Sequence, residues 1–113
     1  MKFILKATTD ERGEIDKRER LSIPFGSGIV LGSRADVRGR VLEPAGVDVT
    51  LRLDLDSSDG SRRNDDVTRT VPAGQTVELG AWRFGTGEHM LSVKGSTSPV
   101  TPNTDFVCEI HIS

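Results

Sequence analysis

The run VDVTLRLDLD, Val47 to Asp56, constrains this chain more than any other stretch. Val47, Val49, Leu51, Leu53 and Leu55 alternate with Asp48, Thr50, Arg52, Asp54 and Asp56. An unbroken period of two describes a strand with one buried and one wet face. A helix would scatter the same leucines around its circumference.

The C-terminus repeats the pattern. In DFVCEIHIS, Phe106, Cys108, Ile110 and Ile112 share one face, and Val107, Glu109 and His111 the other. Between these runs, Asp66 to Val71, Gln75 to Phe84 and His89 to Gly95 each read as a strand. Ser57 to Asn64, Pro72-Ala73-Gly74 and Gly85-Thr86-Gly87 separate them as turns. Proline at the second and glycine at the fourth position of a turn suit type I geometry. Both PAGVDVTL and PAGQTVEL therefore read as a turn that launches a strand. Short strands at this spacing predict an all-β fold, an antiparallel two-sheet β-sandwich, immunoglobulin-like or jelly-roll-like. The length of 113 residues fits one domain spanning 1–113. The expected core is Leu51, Leu53, Leu55, Val77, Leu79, Leu91, Val93, Phe106, Cys108, Ile110 and Ile112.

The N-terminal part is less regular. Phe3, Ile4 and Leu5 begin a strand, and Asp10 to Arg20 is almost all charge, with Ile15 alone apolar. Dense mixed charge predicts a solvated loop or exposed hairpin, or an arm that orders on a partner. Residues 1–20 are thus a candidate extended strand or arm, whose removal is expected to weaken assembly more than folding.

PFGSGIVLGS, Pro24 to Ser33, spaces Gly26, Gly28 and Gly32 much as a phosphate-cradling loop would. Such a loop needs a strand before it and a helix after it, because the helix N-terminus holds the phosphate. No amphipathic stripe follows Gly32, so the stretch reads as a bend that starts a new strand at GIVLG.

Two groups of residues could bind something. Asp54, Asp56 and Asp65 fall at spacings that could offer hard oxygens to calcium. The glycine of that loop is one place late, the last ligand is an aspartate, and Arg62 and Arg63 intrude, so no metal site is expected. In GAWRFG, unbroken alternation from Val77 and Leu79 would expose Trp82 and Phe84 together, as a sugar-stacking platform. A bulge near Gly80 would instead turn both inward, which is the favoured reading. Catalysis has little basis. Cys108 and His111 point to opposite faces of one strand, and His89 has no evident serine partner. No catalytic residue and no cofactor is expected.

The formal charge of −2 lacks the basic excess usual for nucleic-acid binding. No segment is long and apolar enough for a membrane span. The N-terminal apolar run is too short for a signal peptide, and one cysteine excludes an internal disulfide. The expectation is synthesis in the cytoplasm, with a virion as a possible destination and no nucleic acid or membrane partner.

VTLRLDLDSSDG, VPAGQTVEL, GTGEHMLSVKG and DFVCEIHI together resemble small bacterial and phage β-sandwich modules. These include immunoglobulin-like accessory domains and, more weakly, prepeptidase C-terminal domains. The resemblance implies a non-catalytic component that binds protein subunits and forms homo-oligomers, such as a phage capsid decoration (cement) or tail accessory protein. The alternative is a carbohydrate- or ligand-binding module that uses Trp82 and Phe84.

Overall fold

The computed structural model describes residues 1–24, 26–57, 67–85 and 88–113. Their strands are β1 (Lys2–Thr8), β2 (Glu14–Ser22), β3 (Arg34–Glu43), β4 (Asp48–Ser57), β5 (Val67–Val71), β6 (Thr76–Arg83), β7 (Glu88–Ser98) and β8 (Asp105–Ile112). They form two four-stranded antiparallel sheets, ordered β1-β8-β3-β6 and β2-β7-β4-β5. β1 pairs with β8, β2 with β7, β3 with β6 and β4 with β5. The pairs nest like one long hairpin rolled over itself, which is the jelly-roll arrangement. Of the two sandwich types expected, the strand order selects this one.

The inward positions of the alternating strands meet between the sheets. Val49, Leu51, Leu53 and Leu55 of β4 and Leu91 and Val93 of β7 oppose Phe106, Cys108, Ile110 and Ile112 of β8. Val77 is only partly buried against this core, and the rest of the expected core is buried. At about 25 cal/mol per Å² of apolar surface, these side chains supply the dominant stabilising term.

The strand expected after the glycine bend is β3, and it begins later than anticipated. GIVLG is loop rather than strand, and the strand starts at Arg34. Its inward residues are Ala35, Val37, Gly39 and Val41, with charged residues at most of the alternate positions. The small inward side chains hid the period-two signal. Gly39 leaves room for its neighbour: a Cβ there would lie 2.6 Å from Leu79 Cδ1, so a larger residue would oblige the Leu79 side chain to shift.

The charged N-terminal run also folds differently from expectation. Only residues 9–13 turn, and Glu14 onward is β2, with Ile15 and Leu21 buried. Residues 1–20 therefore supply β1 and most of β2, and Leu5 and Ile15 belong to the core. Their deletion removes core rather than a separable arm. The turn is pinned. The Asp10 carboxylate accepts the N–H groups of Arg12 (2.8 Å) and Glu14 (3.0 Å), which favour its ionised form and lower its pKa. Buried Thr9 donates to the Thr101 carbonyl at 2.6 Å and accepts the Thr104 N–H at 2.8 Å, tying the turn to the β7–β8 loop.

Candidate functional site: the edge strands β1 and β2

Asp54 lies on the outer face of β4, opposite Ser92 of β7, and is half-buried. Asp56 lies in β4 opposite Met90, its side chain outside the described residues, as is the whole of Asp65. Among the described residues, no group of three or more His, Cys, Asp or Glu is placed to hold a metal.

Trp82 and Phe84 are 1% and 0% exposed and meet edge to face, with ring centroids 6.4 Å apart. The cause is a bulge. Val37 pairs with Gly80 but Arg38 pairs with Glu78, leaving Leu79 as an extra residue in β6. Odd residues point inward before it and even residues after it. Both rings therefore pack in the core, as the bulged reading of GAWRFG expects, rather than lying together on the surface. His89 packs against Phe84 at 5.4 Å, and its Nε2 accepts the Gly85 N–H at 3.3 Å. Cys108 is fully buried. Burial pushes its thiol up to about 12; a hydrogen bond with the Arg40 backbone opposes the shift and the Glu109 charge adds to it. A thiol held this far from ionisation is a poor nucleophile.

The strand edges are a further feature of the surface. Each sheet has two: β1 and β6 bound one, β2 and β5 the other. Free edges invite pairing, and proteins blunt them with charge, bulges or shortness. β6 carries the bulge, and β5 has only five residues. β1 places Lys2, Ile4 and Lys6 on its outer face, so an antiparallel β1–β1 contact centred on Ile4 would oppose lysine to lysine.

β2 differs. It has nine residues and carries both signs of charge on both faces. Glu14, Asp16, Arg18 and Arg20 face outward; Ile15, Lys17, Glu19 and Leu21 face the interior, with Lys17 and Glu19 half-buried. On the outer face Arg18 Nε reaches Ser92 Oγ at 3.4 Å, and Arg20 reaches Glu88 at 3.8 Å. Lys17 and Glu19 lie opposite Val93 and Leu91 of β7. Among the described residues, neither is in a salt bridge. Beside them an open groove of about 670 Å³ passes Lys6, Ala7, Asp16 and Asp105.

Ladder parity fixes the direction of the backbone groups on these edges. The Thr97 N–H donates to the Gly13 carbonyl, and Gly13 stands opposite Thr97 by extension of the β2–β7 register. Hydrogen-bonded and non-bonded pairs alternate in an antiparallel ladder. Odd residues of β2 therefore bond β7, and Asp16, Arg18 and Arg20 aim their N–H and C=O groups at the free edge. The Met1–Ile112 bonds fix the same parity for β1, so Lys2, Ile4 and Lys6 face outward.

At the end of the sandwich where β2 finishes, the β2–β3 loop carries Val30, 67% exposed, and Leu31, 47% exposed. Ile29 packs against the core, and the Gly32 N–H donates to the Phe84 carbonyl at 2.8 Å. Sequence reasoning missed this apolar tip by assigning it to a strand.

No known family, curated protein or solved structure matches the chain. The functional reading therefore rests on the geometry.

Proposed function

We propose that this chain is a non-catalytic assembly subunit that binds other protein subunits through the flank formed by β1 and β2, as a phage capsid decoration or tail accessory protein would. One observation carries the reading. The N-terminal segment supplies one edge strand to each sheet, and on both strands the even residues aim backbone donors and acceptors outward. The jelly roll is compatible with assembly and with sugar binding alike, so the fold does not choose between them. The sugar-binding alternative loses its aromatic platform with the burial of Trp82 and Phe84.

Proline on an edge strand is tolerated where its missing N–H faces outward. Ile4→Pro and Arg18→Pro each remove one outward donor and no bond of the ladder. Both variants should keep the β-type circular dichroism spectrum, and at least one should lose association. The measurement is solution mass from micromolar to millimolar, together with incorporation into the native particle. Unchanged association in both variants would defeat the proposal. So would a monomer that binds a glycan and no protein subunit.

A further inference from the structure

We propose that β2 pairs antiparallel with β2 of a second copy about a two-fold axis at Arg18, joining two four-stranded sheets into one of eight strands. The inference rests on the reading of this flank as a subunit interface and names its occupant.

Residues directly opposite in an antiparallel pair are both hydrogen-bonded or both not. With even residues of β2 aimed outward, only registers that oppose even to even residues form bonds across the edge. Few such registers keep the middle of the strand in the contact, and side-chain chemistry separates them.

With the axis at Lys17, the two copies of Lys17 face each other and Ile15 faces Glu19 twice. With the axis at Glu19, the two glutamates face each other, Lys17 faces Leu21, and Arg18 faces Arg20. With the axis at Arg18, Lys17 of each copy faces Glu19 of the other, and Ile15 faces Leu21. All four of these inner contacts are complementary. On the outer face of the same register, Asp16 meets Arg20 twice. Only the two copies of Arg18 oppose like to like, and both side chains point to solvent.

The inner face decides, because charges there are shielded from water and screened less. The inner positions are also the non-bonded pairs, whose side chains approach most closely. In the isolated chain Lys17 and Glu19 are half-buried without a salt bridge among the described residues. The proposed register gives each an opposite charge. It also lies beyond the β1–β2 turn, which uses the Glu14 N–H and carbonyl through Asp10. Among the described residues, no other edge combines length with this self-complementarity: β1 centred on Ile4 would oppose lysines, β5 is short and β6 is bulged.

Inward-pointing charges can instead serve to block an edge. The two roles predict opposite outcomes. Sedimentation velocity over a concentration series, on the full chain and on Lys17→Glu, Glu19→Lys and the double variant, separates them. The expected result is a dimer for the unaltered chain. Each single reversal, which turns two attractions into two repulsions, should weaken it by about tenfold or more. The double variant should recover to within a few-fold. Circular dichroism confirms folding in each case. A chain that stays monomeric, or a dimer indifferent to the single reversals, or a double variant that fails to recover, would overturn the proposal. If Arg18→Pro still dissociates an assembly that ignores the charge reversals, the flank is an interface and only the two-fold register is wrong.

Discussion

Cys108 illustrates how strongly one position can depend on its surroundings. Its side chain is fully buried on β8, and its pKa is raised to about 12 chiefly by that burial. In the unfolded chain the thiol titrates near its ordinary value of 9.0. Below that pH both states carry the proton and the group leaves stability unchanged. Above it the unfolded state loses a proton that the folded state keeps, so stability falls as pH rises towards 12, by about 1.4 kcal/mol per pH unit. Tyrosine is absent, so no phenol titrates in the same range. Urea midpoints at pH 7, 9 and 10 should fall for the natural chain and fall less for Cys108→Ala, which starts from a lower value. Equal slopes would show that the thiol is not responsible. A thiol-specific reagent should also label Cys108 only as the protein unfolds.

At the scale of elements, the bulge in β6 decides where the largest side chain goes. Gly80 holds φ at +127°, a region unfavourable to other residues, and the extra residue there reverses which positions face inward. Gly80→Ala should cost about 1–3 kcal/mol, the usual penalty for a side chain held in a strained backbone region. Trp82 is the only tryptophan and is buried, so its emission should be blue-shifted in the native protein and move to the red on unfolding. A Gly80→Ala variant as stable as the natural chain would show that the backbone at this position is not strained. This bulge was legible in the sequence because a strand with two aromatics and a glycine needs a place to bury them. β4 and β8 were legible because leucine, isoleucine and phenylalanine mark nearly every inward position. The start of β3 was not, because glycine and alanine mark two of its inward positions. β2 was hidden for a related reason: Lys17 and Glu19 occupy inward positions where an apolar residue would have announced the strand. The residues that obscured β2 are the ones the candidate interface uses. The pairing of sheet edges, by contrast, had no local signal, since it depends on which distant strands become neighbours.

In the molecule as a whole, the nested pairing joins the two ends of the chain. Met1 bonds Ile112 in both directions, and Leu5 stands opposite Cys108 in the β1–β8 register. Contacts of such long sequence separation must bear the entropy of closing a large loop before they stabilise anything, so folding should be slow for the chain's length. β1 is then an edge strand with a central role in stability, since fully buried Leu5 packs in the core beside Cys108. Deleting Met1 to Thr8 leaves the flank of β8 unpaired and uncovers part of this core. The truncated chain should be largely unfolded or expanded at neutral pH, with weak near-ultraviolet dichroism and early exposure of Cys108 to thiol reagents. A synthetic peptide of residues 1–8 should restore the native signal in a concentration-dependent way, because a ligand that binds only the folded state stabilises it by mass action. Rescue should fail for a peptide in which Leu5 is replaced by aspartate, which would bury an unpaired charge. A truncated chain with the intact protein's urea midpoint would contradict a core role for β1. Restoration by the aspartate peptide would show that backbone pairing along β8, rather than the burial of Leu5, is what the strand contributes.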